Sequence, residues 1–307
     1  MQARGFTYLG QIPRTQLLRV VADDLQLLAE NTASLMDDAQ ACHQAGRPRG
    51  AAVLASYATE EAAKAMMLLD LARDGWQDLS LLRSMGQHLA RLIYVWTYEG
   101  NPASLTEVHQ HVDELRRSQV FLEDLPVVSR NPMLQEREEL LYVDYVLTYE
   151  EERALKDASN GAGPPVTAVL GRWVSPESVW LPGARRAELL VPPIVDLLPM
   201  LERAGCLTPE GLTVIADTWR SDSGTFKEEP HYRNLEKLNH TVLLALEREG
   251  TLRDDFAGDD DVRGIAQGWS FPLTGITLRP KEVSDEEINQ VFHRWAVAEG
   301  LIEPDDV

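Results

Sequence analysis

Residues 81–92, LLRSMGQHLARL, contain an arginine and a histidine that could act together on a phosphate. Histidine gains and loses a proton near neutral pH, so His88 could take a proton from an attacking group or give one to a leaving group. Arginine can hold a phosphate through two parallel hydrogen bonds and stabilise developing charge, which is a role for Arg83. Because the 2'-hydroxyl of RNA supplies the nucleophile, cleavage of RNA by these groups requires no metal ion and no cofactor.

The spacing of this pair sets a condition on the local structure. Arg83 and His88 are five residues apart, which is about 140 degrees around an unbroken helix. They converge only if the helix begins or is kinked near residues 84–86, where Gly86 favours an irregularity. The alternative interpretation is that His88 is a hydrogen-bonded residue at the edge of the core.

A second pair with similar residue types lies in RNLEKLNH, residues 233–240. Arg233 and His240 are seven residues apart, so they nearly superpose on one helix face, and Asn234 follows the arginine. This segment is the alternative catalytic site. Its other interpretation is a polar surface of the C-terminal half.

Two further stretches could support the first pair. Arg91 follows His88 by one helical turn, and Lys64 lies on the preceding helix, so either could bind an adjacent phosphate. Glu61 falls on an otherwise apolar helical stripe, where a carboxylate needs a partner, and could orient His88. The neighbouring Glu60 is interpreted as a surface ion pair with Lys64. The stripe consists of Leu54, Tyr57, Ala58, Glu61, Ala65 and Leu68.

Hydrophobic periodicity and helix-terminating residues predict a mainly α-helical protein. Helices are predicted at residues 15–45, 51–73, 79–98, 104–122, 184–203, 208–220, 232–249 and 285–299. Tyrosine, valine and leucine are frequent from residue 140 to residue 182, which predicts a small β-containing insert. We therefore expect an antiparallel helical bundle with this insert over residues 1–183, followed by a second helical region over residues 184–307.

Composition restricts the partners of the chain. The net charge is -20 over 307 residues, so a nucleic-acid site would have to be a local basic pocket. The two cysteines, Cys42 and Cys206, lie far apart without CxxC motifs, which argues against a disulfide framework or a structural zinc site. Neither a signal-peptide pattern nor a membrane-spanning apolar run is found. We expect a soluble cytoplasmic protein without membrane contact.

Four short segments, in this order, resemble the HEPN domains of AbiV-type abortive-infection proteins. They are ATEEAAKAMMLL (58–69), the His88-x-x-Arg91 motif, REELLYVDY (137–145) and RWVSP (172–176). The corresponding family patterns are EELGK, HxxK, YVD and WxSP, and the resemblance extends over residues 14–180. This chain differs in having Ala62 and Ala63 in place of Leu-Gly, and Arg91 in place of lysine.

The resemblance implies a HEPN-like fold and an antiphage or growth-arrest role. HEPN ribonucleases are metal-independent and carry an arginine followed by histidine after four to six residues; RSMGQH (83–88) has this spacing, with Ser84 where Asn, Asp or His is usual. The resemblance also implies a homodimer in which two such motifs meet, and it places Tyr142 and Asp144 near the cleft. These two could instead pack in the core and cap a turn, respectively.

Two functions follow as hypotheses. The first is a toxin that cleaves RNA, for which tRNA and mRNA are candidate substrates. The second is a non-catalytic interaction module that binds a phage-encoded or antitoxin protein. The acidic composition and Ser84 favour the second, whereas the ordered family-like segments favour the first. A nucleotide-binding enzyme is disfavoured, because the sequence has neither GxxxxGK[ST] nor a strand-associated GxGxxG.

Overall fold

The computed structural model describes most of the helical chain and short parts of the β-containing insert. The described residues are 12–78, 80–117, 119–122, 125–131, 133, 134, 137, 144–146, 172–174, 191–222, 232–253, 256, 258–282, 284, 286, 287, 290, 293, 294 and 297. The helices within them are α1 (Arg14–Gln44), α2 (Pro48–Arg73), α3 (Ser80–Ser84), α4 (His88–Gly100), α5 (Leu105–Leu115), α6 (Pro193–Arg203), α7 (Pro209–Asp222), α8 (Tyr232–Arg248) and α9 (Asp259–Gly268). The predicted mainly α-helical bundle is confirmed.

Helices α1 and α2 form a long hairpin, as predicted. Gly46 in the connection has a positive φ of 68°, which glycine adopts without steric cost. Pro48 begins α2, a position where its missing amide hydrogen is not needed. Helices α1, α4, α6 and α7 all pack against α2. As a result α2 is buried on most of its circumference, and its last eight residues are all buried.

The predicted third helix is interrupted, which corrects the expectation of one helix over residues 79–98. Helix α3 ends at Ser84, Gln87 is extended with φ -99° and ψ 129°, and His88 begins α4. The amide of Gln87 donates to the carbonyl of Ser84 at 2.8 Å, so the chain turns before α4 begins. The low helix propensity of Gly86 within this turn explains the break.

The predicted fourth helix is shorter than expected. Ser104 caps α5 by accepting from the amide of Glu107 at 3.2 Å, but α5 ends at Leu115 rather than at residue 122. The apolar repeat of α5 would next require an apolar residue at 119, where the sequence has glutamine. The residues that follow form the antiparallel hairpin of β1 (Gln119–Leu122) and β2 (Leu125–Arg130).

Strands β3 (Asp144–Val146) and β4 (Arg172–Val174) pair antiparallel within the predicted insert. Asp144 lies opposite Val174 and Val146 opposite Arg172. This pairing brings the backbone of Asp144, the last residue of YVD, beside that of Arg172–Val174, the first three residues of RWVSP. The intervening residues 147–171 lie outside the described part of the chain.

One of the C-terminal helices, α6, begins later than predicted. Helix α6 begins at Pro193 instead of residue 184, and Pro192 is extended with ψ 144°. The ring of Pro193 disfavours helical backbone angles at the residue before it, Pro192, which explains this boundary. The predicted helices at 208–220 and 232–249 are confirmed as α7 and α8. In the predicted helix at 285–299, each described position from 286 onward is helical.

A fully buried ion pair joins α2 to the C-terminal region. The Arg73 guanidinium bonds Asp70 at 3.0 Å and the carbonyl oxygen of Ser270 at 2.8 Å. It also lies over the rings of Trp219 and Trp269, at 4.0 and 4.6 Å from their centroids. Apolar residues from both halves share one core. The proposed division at residue 183 stays a prediction.

Candidate active site

A buried carboxylate on α2 is the centre of a polar cluster. Glu60 is 2 % exposed, and its three partners come from two parts of the chain, α4 and the segment after β2. His88 is the first residue of α4, Arg91 lies one turn later, and Arg137 comes from the segment after β2. The break between α3 and α4 places His88 at a helix N-terminus, facing α2.

The carboxylate of Glu60 uses both oxygens to hold these three side chains. Its Oε2 lies 2.8 Å from Nδ1 of His88 and 3.0 Å from Nη1 of Arg91. Its Oε1 accepts from Nε of Arg137 at 2.8 Å. The buried acid is therefore fully partnered, as a carboxylate inside a protein must be.

These partners keep Glu60 ionised. Burial alone would raise its pKa, but the hydrogen bond from Arg137 and the positive charge of Arg91 act in the opposite direction, together with His88. The net result is a pKa for Glu60 below its usual value. The carboxylate is therefore available to orient and to stabilise a protonated imidazole.

One tautomer of His88 suits general-base catalysis. Nδ1 lies 2.8 Å from an oxygen of Glu60, which can only accept a hydrogen bond, and 2.8 Å from Nη2 of Arg91, which can only donate one. In the tautomer whose Nδ1 donates to Glu60, Nε2 carries the lone pair and accepts from Nη2 of Arg137 at 3.3 Å. A lone pair on Nε2 is what a general base requires.

Exposure within the cluster increases from the carboxylate to the imidazole. The side chains of Arg91 and Arg137 are 7 % and 14 % exposed, whereas that of His88 is 43 % exposed. One carboxylate faces two guanidinium groups, so the cluster carries a net positive charge even when His88 is neutral. It is therefore a local basic site in a chain whose net charge is -20.

The prediction for the two adjacent glutamates was wrong, because their roles are exchanged. Glu61 pairs with Lys64 one turn later, and their side chains are 20 % and 17 % exposed, respectively. Glu60 is the buried acid that contacts His88. Thus Lys64 and Glu61 neutralise each other beside the cluster, and Glu61 does not orient the imidazole.

Arg83 lies on α3, and its side chain is exposed. The helix is broken between Arg83 and His88, which was the geometric condition for their convergence. Within the described part of the chain, however, the Arg83 guanidinium makes no hydrogen bond or ion pair. The structure brings His88 together with Arg91 and Arg137, whereas the predicted role of Arg83 stays a prediction.

The remaining predicted site residues are described only in part. Tyr142 lies outside the described residues, and of Asp144 only the backbone in β3 is described. In the alternative site, Arg233 and Asn234 lie in the first turn of α8, and their side chains are not among those described. His240 is exposed on the same helix. Neither candidate histidine is enclosed in apolar packing.

Sequence reasoning missed two members of the cluster, Glu60 and Arg137. Arg137 is 77 residues from Glu60 along the chain, so no local pattern links them. The only signal was that both lie in segments quoted for the family resemblance, ATEEAAKAMMLL and REELLYVDY. Over the described ranges, no group of three or more His, Cys, Asp or Glu side chains is arranged to hold a metal ion. None of the described helices combines the length and apolarity needed to cross a membrane.

The helical bundle and this cluster define a HEPN-like domain. Residues 21–150 match the model of the HEPN_AbiV family, described as AbiV. This part of the chain is therefore similar to the HEPN domains of AbiV-type proteins, as the four sequence segments predict. The matched range contains every member of the cluster, whereas RWVSP (172–176) lies beyond it. No curated protein and no solved structure matched the chain.

Proposed function

We propose that this protein is a metal-independent endoribonuclease that acts in antiphage abortive infection or growth arrest. The observation that carries this proposal is the half-exposed imidazole of His88, whose Nδ1 faces buried Glu60 and whose Nε2 faces Arg137. A carboxylate behind an imidazole fixes its tautomer and stabilises the imidazolium that forms when the imidazole accepts a proton. The substrate is RNA, because only RNA supplies a 2'-hydroxyl.

In the proposed reaction His88 acts as the general base. Nε2 removes the proton of the 2'-hydroxyl while the 2'-oxygen forms a bond to phosphorus. The bond between phosphorus and the 5'-oxygen breaks, which leaves a 2',3'-cyclic phosphate and a 5'-hydroxyl. The 5'-oxygen receives its proton from an acid on the opposite side of the phosphate. Glu60 stays ionised throughout and offsets the charge of the imidazolium.

Arginine side chains would stabilise the phosphate during this reaction. A phosphate oxygen beside Arg137 would accept a hydrogen bond from its Nη2, which now lies 3.3 Å from Nε2 of His88. Arg83 is exposed on α3 and would bind the same phosphate or its neighbour when RNA is present. Arg91 would act mainly by maintaining the orientation of Glu60 and His88.

A homodimer would complete the site. In that arrangement, two copies of the cluster face one RNA strand, and the second imidazole supplies the proton for the 5'-oxygen. Two clusters of net positive charge side by side would also make the electrostatic potential at the cleft positive, although the rest of the surface is acidic. The Tyr142 and Asp144 segment belongs to the same proposal, at the edge of this cleft.

A second candidate function is a non-catalytic interaction module for a phage-encoded or antitoxin protein. It is favoured by one observation, that Glu60 already binds both Arg91 and Arg137. A buried network of this kind could serve only to fix the fold. The two functions differ in whether purified protein cleaves RNA.

The test is to incubate purified protein with total RNA and with tRNA in EDTA, and to compare single variants. His88→Ala should abolish cleavage, and Arg83→Ala should reduce it about 100-fold, as expected when a charge-stabilising donor is lost. His240→Ala is the matched control, since its imidazole is exposed on α8, outside the cluster. Circular dichroism verifies that each variant is folded.

Each outcome distinguishes between the candidates. Cleavage that survives in His88→Ala but is lost in His240→Ala would transfer the active site to Arg233, Asn234 and His240. Absence of cleavage in the wild type, with every RNA tested, would favour the interaction module.

A further inference from the structure

Helix α2 reaches the surface beside the candidate active site along one narrow strip. Every residue from 57 to 73 is described, and all of them are buried except Tyr57, Glu61 and Lys64. These three positions follow at spacings of four and three residues, so they fall on one line along the helix. Three side chains therefore form the part of this stretch that solvent can reach.

Tyr57 is the most exposed residue of this strip, at 41 %. It lies one turn before Glu60, about 4.5 Å along the helix axis, and Glu60 holds the imidazole of His88. Side chains three residues apart on a helix have Cβ atoms about 5 to 6 Å apart. The aromatic ring is therefore at the edge of the cluster.

The charges beside Tyr57 favour an anionic ligand. Glu61 and Lys64 pair with each other, so together they add no net charge to the strip. The adjacent cluster carries a net positive charge, because one carboxylate faces two guanidinium groups. A phosphate attracted to the cluster would therefore bring the base of a neighbouring nucleotide within reach of the ring.

We propose that Tyr57 is a stacking platform for one base of single-stranded RNA, next to the nucleotide whose phosphate the cluster binds. An aromatic ring stacks on a base of any identity, so this contact adds affinity without sequence specificity. The bases of a duplex are already stacked on each other, which prevents this contact. The inference rests on the proposed function and deepens it, because it names unpaired RNA as the form that the site accepts.

The test is a binding measurement that does not depend on cleavage. A single-stranded 2'-O-methyl oligonucleotide lacks the nucleophilic hydroxyl, so its affinity for the full chain can be measured by fluorescence anisotropy in EDTA. Tyr57→Leu should weaken binding about tenfold, since it removes the stacked ring. Tyr57→Phe retains the ring and should bind as the wild type does. The same oligonucleotide in a duplex should bind more weakly, with an affinity that Tyr57→Leu does not change.

Trp96→Leu is the matched control, because it removes another exposed aromatic ring. Trp96 is 37 % exposed, but it lies eight residues after His88 on α4, which is about 12 Å along that helix. This change should leave the affinity for the single strand unaltered. Thermal unfolding verifies that each variant remains folded.

Four results would overturn the inference. They are the absence of saturable binding of the single strand, equal weakening by Tyr57→Leu and Trp96→Leu, equal weakening by Tyr57→Leu and Tyr57→Phe, and conversion of a dimer to a monomer by Tyr57→Leu in sedimentation. The last would mean that the ring contacts a second copy of the chain.

Failure of the proposed nuclease has a different signature. Wild-type protein that binds the single strand through Tyr57 but cleaves no RNA would refute the nuclease and leave the stacking platform in place. Cleavage of RNA by a protein whose affinity does not respond to Tyr57→Leu would refute the stacking platform alone.

Discussion

Replacement of Glu60 by glutamine should be far more damaging than the same change at the adjacent Glu61. Glu60 is 2 % exposed and binds Arg91 and Arg137, which are themselves 7 % and 14 % exposed. Glu60→Gln leaves both guanidinium groups in a mostly buried place without a counter-charge. Removal of one partner from a buried pair costs about 3 to 5 kcal/mol. Because glutamine retains one carbonyl oxygen as an acceptor, we expect about 3 kcal/mol.

The matched change at Glu61 should cost about 0.5 kcal/mol, since its pair with Lys64 is partly exposed and lies on one helix. Urea unfolding at pH 7.5, followed by circular dichroism at 222 nm, measures both free energies. If Glu60→Gln lost less than about 1 kcal/mol, or less than Glu61→Gln, the proposed role of the buried carboxylate would be wrong.

Three further predictions follow from buried groups. The folded pKa of Glu60 is lowered, so its stabilisation is full above the unfolded pKa near 4.3 and is lost as pH falls through the folded value; acid titration should therefore bring the wild type and Glu60→Gln closer together in free energy of unfolding. Burial raises the pKa of Cys206 to about 12. A thiol reagent should therefore label only Cys42 in the native protein, and both cysteines in guanidinium chloride. Rapid labelling of both cysteines in the native protein would contradict this. Arg73→Met leaves the buried carboxylate of Asp70 without its cation and should lower the free energy of unfolding by about 3 to 5 kcal/mol. The control Arg263→Met changes a side chain that is 65 % exposed and should lower it by less than about 0.5 kcal/mol. Equal losses in a urea titration would argue against the buried ion pair.

The helices of this protein were largely predictable, because their apolar repeats and terminating residues are local signals. The hairpin of α1 and α2 and the start of α7 at Pro209 are examples. The end of α5 was predicted too late, since Val120, Phe121 and Leu122 form a short apolar run that is equally compatible with a helix or a strand. Pairing with β2 decides between them, and such pairing is not a local property.

The buried acid was misassigned for a different physical reason. Prediction of buried positions from an apolar stripe assumes that a helix has one buried face, but α2 packs against four other helices, α1, α4, α6 and α7. Tyr57, on the predicted stripe, is 41 % exposed, whereas Glu60, off that stripe, is 2 % exposed. When nearly all of a helix is buried, hydrophobic spacing no longer identifies which polar residue faces a partner.

The most direct test of the proposed nuclease is the chemistry of its products. Wild-type protein in EDTA should convert an in vitro transcribed RNA into fragments that end in 2',3'-cyclic phosphate and begin with 5'-hydroxyl, as mass spectrometry would show. His88→Ala, at equal folded fraction, should yield none. Fragments with 3'-hydroxyl and 5'-phosphate ends, or cleavage by His88→Ala at the wild-type rate, would contradict the role of this imidazole.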